Sequence, residues 1–111
     1  METLKVKIHE GLKGKCFRLN HNPGSPYVDE TKDYSGGVIT MPTKGIRFRC
    51  GSLDTNIVVK ILGQTDDLIR FETLSGSIYE FQIEEKGNIV DELELVMSEE
   101  IITLINEYNT K

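Results

Sequence analysis

LIRFETLSGSIYEFQIE, residues 68–84, decides the fold. Two runs of alternating apolar and polar residues flank Ser75-Gly76-Ser77. Alternation with period two marks a half-buried strand, and three linking residues with a central glycine fit a short hairpin loop. The stretch therefore reads as an antiparallel pair. Tyr79, Phe81 and Ile83 face inward, opposite Ile69 and Phe71.

Similar patterning extends outward in both directions. Leu4, Val6 and Ile8 alternate with Lys5, Lys7 and His9, and Ile46, Phe48 and Cys50 alternate with Arg47 and Arg49. Residues 56–62 (NIVVKIL) are nearly all apolar and β-branched, which predicts a central strand covered on both faces. Gly11 and Gly14 read as punctuation of a turn. Phe17 and Leu19 then form the apolar face of a second strand, with Cys16 and Arg18 on its polar face. Residues 38–41 read as a short third strand stopped by Pro42. Residues 20–37 (NHNPGSPYVDETKDYSGG) read as loop, since Pro23, Pro26 and the glycine pair prevent strand extension. Near the end, Leu93, Leu95 and Met97 alternate with glutamates, although Leu93, Met97, Ile101, Leu104 and Ile105 also fit a helical period. The favoured partition runs a strand to Met97 and a helix over 98–108. Ser98 is then the N-cap, with Glu99 and Glu100 in the first turn, where the helix dipole favours negative charge. Ile101, Leu104, Ile105 and Tyr108 make one apolar stripe, expected to dock on the sheet or on a second copy of the chain.

The expected fold class is mainly β (α+β). It is a small curved antiparallel sheet or partly open barrel of six to eight strands with one C-terminal helix, in a single domain over 1–111. The alternative is a two-layer sheet with the helix across one face. Residues 73–81 resemble a hairpin pattern that recurs in small bacterial and phage β-proteins; the pattern describes a turn and assigns no family.

Composition limits the function classes. A chain of 111 residues suits one domain. It contains no apolar run long enough to span a bilayer, and no signal peptide is expected at the N-terminus. With two cysteines, these features predict the reducing cytosol. The net charge of −5 hides a split. Residues 1–50 hold nine Lys/Arg against five acids, a net +4, whereas residues 51–111 hold four against thirteen, a net −9. The halves either neutralise one another or leave an acidic C-terminal surface for a basic partner. Nucleic acid is disfavoured as a ligand by the acidic balance.

Motif chemistry is sparse. Two histidines and two cysteines, dispersed along the chain, make no metal-ligand pair, and the loop acids miss the calcium-loop spacing. No phosphate-binding glycine loop is present. Cys16, beside Lys15 and Arg18, is expected to have a lowered thiol pKa, but no histidine is placed to serve as its base. Cys50 is expected on an apolar face, pointing away from Cys16. Catalytic residues, metal sites and cofactors are accordingly expected to be none. The loop concentrates His21, Tyr27, Asp29, Glu30, Asp33 and Tyr34, and eighteen residues is long for a plain connection. Arg47 and Arg49 project from one face of a strand, near Lys44. With Arg18 on a neighbouring strand they could cup a phosphate or carboxylate, unless they pair with acids such as Glu72 or Glu80.

The leading expectation is a non-enzymatic cytosolic binding module, a regulator or inhibitor. It would grip a protein with a basic surface through the long loop and an acidic surface containing Glu92, Glu94, Glu99 and Glu100. Phage-encoded inhibitors of host systems offer an analogy only. The alternative is a binder or sponge for a small nucleotide-like anion held by Arg18, Lys44, Arg47 and Arg49. A homodimer through the helix or an edge strand is a further expectation.

Overall fold

The computed structural model describes residues 2–20 and 34–110. These form, in order, β1 (Thr3–Glu10), β2 (Leu12–Arg18), β3 (Tyr34–Val38), β4 (Arg47–Cys50), β5 (Leu53–Gln64), β6 (Leu68–Thr73), β7 (Ile78–Glu85), β8 (Asn88–Val96) and α1 (Glu99–Asn109). Strand accounts for 61% and helix for 11%, so the chain is mainly β. Six strands form one antiparallel sheet in the order β3-β2-β7-β6-β5-β4, curled into a nearly closed barrel. β1 and β8 pair as a separate two-stranded ribbon.

The hairpin of residues 68–84 forms as its alternation requires. Ile69 lies opposite Phe81, and Phe71 opposite Tyr79. These side chains enter the barrel and meet Phe48, whose ring centroid is 5.2 Å from Phe71 and 5.0 Å from Phe81. Phe71 stacks on Tyr79 at 5.5 Å. Leu12, Cys16, Tyr34, Val38, Cys50, Leu53 and Val58 complete the buried cluster. β5 is bent by two irregularities, between Val58 and Lys60 and between Ile61 and Gly63. Extra residues of this kind kink and twist a strand, which helps the sheet curl. Val58 and Val59 are both fully buried, but Ile61 and Leu62 are exposed, so the strand expected to be covered throughout is covered only in its first half.

Closure brings β3 towards β4 through two glycines. A Cβ added to Gly36 would lie 2.9 Å from the Gly51 Cα, and one added to Gly51 would lie 2.4 Å from the Ser35 carbonyl oxygen. Across this seam the Cys50 thiol donates to the Tyr34 carbonyl at 3.5 Å. The ribbon leaves the barrel at a second glycine contact. Lys13 pairs with Glu85 in the barrel, and Glu10 pairs with Asn88 in the ribbon. Between them, a Cβ on Gly87 would lie 2.1 Å from the Glu10 carbonyl oxygen. The β2–β7 pair therefore continues into β1–β8 across a glycine bend. α1 starts with Ser98, whose hydroxyl accepts the Ile101 N–H at 3.2 Å, and docks on the sheet. Ile105 is buried, Asn109 donates to the Val59 carbonyl at 3.0 Å, and the Tyr108 hydroxyl donates to the Glu72 carboxylate. That bond, with burial, pushes the Tyr108 phenol up to about 12.

The second strand departs from its sequence reading. Leu12, Gly14, Cys16 and Arg18 face the interior, Phe17 is only half-buried and Leu19 is 48% exposed. Gly14 is a strand residue and not part of a turn. A Cβ there would lie 2.2 Å from the Gln82 carbonyl oxygen and 2.6 Å from the Phe81 ring, so the ring occupies the space that a side chain would take. Residues 34–37, expected in the loop, are β3, and residues 39–41 fall outside any strand.

The outer face carries one well-satisfied carboxylate. Glu80 accepts Arg70 Nε and Gln82 Nε2, each at 2.8 Å. The Gln82 and Arg70 bonds hold its carboxyl below the ordinary glutamate value.

Two predictions follow from this packing. Gly14→Ala should cost about 2–3 kcal/mol by overpacking against the Gln82 carbonyl and the Phe81 ring, whereas Gly37→Ala, with open space at its Cβ, should stay within about 0.5 kcal/mol; urea denaturation reads both. Because the Glu80 carboxyl is held low in the folded state, its contribution is full above the ordinary glutamate range. That contribution is lost as pH falls through the folded value. Glu80→Gln should therefore lower stability at pH 7 and shrink the loss between pH 7 and pH 3, measured by denaturation at both pH values.

Candidate functional site

Arg18 ends β2 on the interior face, in register with Tyr79. The chain end beside it is pinned to the hairpin loop. Leu19 N–H donates to the Ile78 carbonyl at 2.7 Å, Asn20 Nδ2 donates to the Gly76 carbonyl at 2.8 Å, and Asn20 Oδ1 accepts the Ile78 N–H at 2.7 Å. Arg18 is thus fixed at the hairpin end of the barrel, where Thr73, Ser77 and Tyr79 are also buried.

Arg18 is 7% exposed, and its Nε and Nη2 are buried without a hydrogen-bond partner among the described residues. Buried side-chain atoms at His9 and Asn109 are also unpartnered, but Arg18 alone among the three carries a permanent charge. An ionised group away from water is costly unless paired. The neighbouring acidic protons do not supply a counter-charge. Burial pushes the Tyr79 phenol up, against the opposing pull of the Ser77 hydroxyl and the Arg18 charge. Burial, with Cys50 and Glu80 adding to it, pushes the Cys16 thiol well above its usual range. Burial and Glu84 push the Cys50 thiol up. Both cysteines are unbridged and buried on the interior side, which corrects the expectation that they point apart. The expected lowering of the Cys16 pKa is reversed for the same reason. Lys15 projects outward from the strand while the thiol faces the aromatic core, so desolvation raises the thiol pKa, and Cys50 and Glu80 add to the rise.

The expected cup of Arg18, Arg47 and Arg49 does not form. Arg47 and Arg49 are exposed on the outer face of β4, which is not hydrogen-bonded to β2. They line an open cavity of about 270 Å³ at the β3–β4 seam, together with Gly37, Ile39, Thr40 and Gly51. Arg49 also lies 3.5 Å from Asp54, an exposed pair of small energetic weight. Lys44 lines a different cavity of about 330 Å³, with Leu4, Met97, Ile102 and Ile105. Glu80 and Glu72, considered as partners for Arg47 and Arg49, instead bond Arg70 and Tyr108.

The expected partner surface divides into parts. His21, Tyr27, Asp29, Glu30 and Asp33 lie outside the described residues. Tyr34 belongs to β3 and is buried, not displayed on an exposed loop, because its side chain shares the interior face with Gly36 and Val38. Glu92 and Glu94 are exposed on β8, opposite Lys7 and Lys5 of β1. Part of the charge split is thus neutralised within the ribbon. Glu99 and Glu100 are exposed in the first turn of α1.

What the sequence did not single out is the ribbon's apolar face. Leu4 and Val6 of β1 lie opposite Leu95 and Leu93 of β8, so all four share one face. Val6 is 3% exposed, but Leu93 is 44% and Leu95 is 38% exposed. Apolar cover therefore stops between the two strands. Every residue of β8 is exposed, including Ile89, Val90 and Val96. Among the described residues no strand pairs with its outer edge. The alternation of Leu93 and Leu95 with Glu92 and Glu94 was the available signal.

Among the described residues no cluster of three His, Cys, Asp or Glu side chains is placed to hold a metal ion, and no helix is long and apolar enough to cross a membrane. No family model, curated protein or solved structure matches this chain.

Proposed function

We propose that the chain is a non-enzymatic binding module, a regulator or inhibitor, that captures a basic protein segment as an added strand on the outer edge of β8. The observation that carries this reading is a nine-residue strand exposed along its whole length, with Leu93 and Leu95 on one face and Glu92 and Glu94 on the other. Exposed strand edges are templates for pairing, and extended segments bind them through backbone hydrogen bonds with side-chain specificity.

The geometry of the edge supports a segment of matching pattern. Met97 N–H donates to the Glu2 carbonyl at 3.0 Å, which fixes the alternation of the ladder. Leu93 and Leu95 then direct backbone groups to β1, and Glu92, Glu94 and Val96 direct theirs outward. An added strand meets Leu93 and Leu95 on one face and Glu92 and Glu94 on the other. It should therefore alternate apolar and basic residues, as β1 does with Leu4-Lys5-Val6-Lys7. A second copy is a poorer occupant. Pairing Leu93 of one β8 with Leu95 of another places Glu94 against Glu94, and like charges directly opposite are destabilising. Glu99 and Glu100 add to the same field. The cytosol suits this reading, because Cys16 and Cys50 are kept there as thiols.

A labelled peptide with the sequence of residues 3–10 (TLKVKIHE) tests the proposal by fluorescence anisotropy and amide chemical-shift mapping. Binding should perturb the amides of Glu92, Glu94 and Val96. Changing Glu92, Glu94, Glu99 and Glu100 together to Gln should weaken binding by about 5–10-fold and flatten its salt dependence. Glu94→Pro, which removes an outward N–H and no ribbon bond, should abolish binding while the protein still folds. Perturbations mapping elsewhere, or affinity indifferent to both changes, would refute the proposal. A dimer of the chain alone that Glu94→Pro dissociates would assign the edge to a second copy instead.

A further inference from the structure

The barrel holds a second, independent feature. The two unpartnered atoms of Arg18, Nε and Nη2, belong to the same edge of the guanidinium. That edge is a fork with two parallel N–H donors, and its geometry matches two oxygens of a carboxylate or phosphate. β2 is anchored beside it by Asn20, and the residue is 7% exposed, so the fork is held in place at the barrel mouth. The interior beyond it is filled by Phe48, Phe71 and Phe81, which leaves no depth for a large ligand. Tyr79 lies in register with Arg18, and Thr73, Ser77 and Tyr79 are buried at the same end of the barrel.

We infer that the hairpin end of the barrel is a binding site for one small oxyanion group, a carboxylate or phosphate, held side-on by Nε and Nη2 of Arg18. The anion neutralises a charge that the described residues leave unpaired. Burial makes the contact far less sensitive to salt than the β8 edge. Arg47, Arg49 and Lys44 take no part, since they lie on other surfaces.

The test follows the Nε–Hε resonance of Arg18 in nitrogen-15-labelled protein, assigned by its absence in Arg18→Met. Inorganic phosphate and acetate are titrated separately, with ionic strength held constant by sodium chloride. At least one of them should shift the resonance saturably and raise the thermal midpoint by several degrees. A phosphate-selective response identifies a tetrahedral group and an acetate-selective response a planar one. Arg18→Met should unfold at a higher temperature than the unmodified chain without added anion, because a buried charge has gone, and should show no anion response. Arg18→Lys keeps the charge and loses the fork, so half-saturation should rise about tenfold or more. No saturable shift with either salt overturns the inference. It is also overturned if Asp29→Asn, Glu30→Gln and Asp33→Asn together move the Arg18 resonance while the unmodified chain ignores both salts, since the chain then supplies its own carboxylate.

Discussion

The Phe81 ring lies where Gly14 would carry a side chain, and most of the structure depends on that contact. With no Cβ at Gly14, β2 lies close against β7 and the ring crosses the strand. The contact fixes the phase of β2, because side chains alternate strictly along a strand. Leu12, Cys16 and Arg18 then enter the barrel, while Lys13 and Lys15 face out. Phe81, so placed, reaches Phe48 from the far side of the barrel, and Phe48 reaches Phe71. A slip of one residue would expose Cys16 and Arg18 and bury two lysines. The desolvated thiol, and a guanidinium whose Nε and Nη2 have no partner among the described residues, are therefore consequences of one packing choice.

Legibility in the sequence followed the range of the interactions. The 68–84 hairpin, β4 and α1 could be read because alternation, the Ser75-Gly76-Ser77 link and the Ser98 cap are all local signals. β2 was misread because Phe17 and Leu19 are the bulkiest apolar residues in their stretch and drew the phase to themselves. The true pattern, Leu12-Lys13-Gly14-Lys15-Cys16, needs glycine to count as a core residue, and only the distant Phe81 makes it one. β3 had no local signal at all. YSGGV has no periodicity, and its strand is made by pairing with β2 and by the contact of Gly36 with Gly51. Arg18 was named from sequence as an anion ligand, but on the wrong face and with companions that the barrel wall separates from it.

The charge split between the chain halves has a structural resolution that a net charge conceals. In the ribbon the halves meet directly, with Lys5 opposite Glu94 and Lys7 opposite Glu92. In the barrel the pairs at Arg70–Glu80 and Arg49–Asp54 are local to neighbouring strands. The exposed pairs, those across the ribbon and Arg49–Asp54, contribute little stability. Their value lies in register, since a shift of the ribbon by one residue would set lysines against leucines. Acidic charge is nonetheless left over on β8 and the first turn of α1, because Asp91, Glu92, Glu94, Glu99 and Glu100 outnumber the lysines facing them.

The two proposed recognition features rest on different physics within one continuous pair of strands. β7 supplies Tyr79 and Phe81 to the barrel, and the same chain passes Gly87 to become the exposed edge of β8. β2 supplies Arg18 and is preceded across Gly11 by β1, which covers only half of the ribbon's apolar face. At the edge, backbone groups and half-bare leucines face water, so the strand capture we propose would draw its selectivity from alternation and from screened charge. At the hairpin end, Arg18 is largely removed from water, so the anion binding we infer would discriminate by the geometry of a single fork of donors. The glycine bend separates these two surfaces. A small barrel without a deep pocket can carry both, because neither demands interior volume.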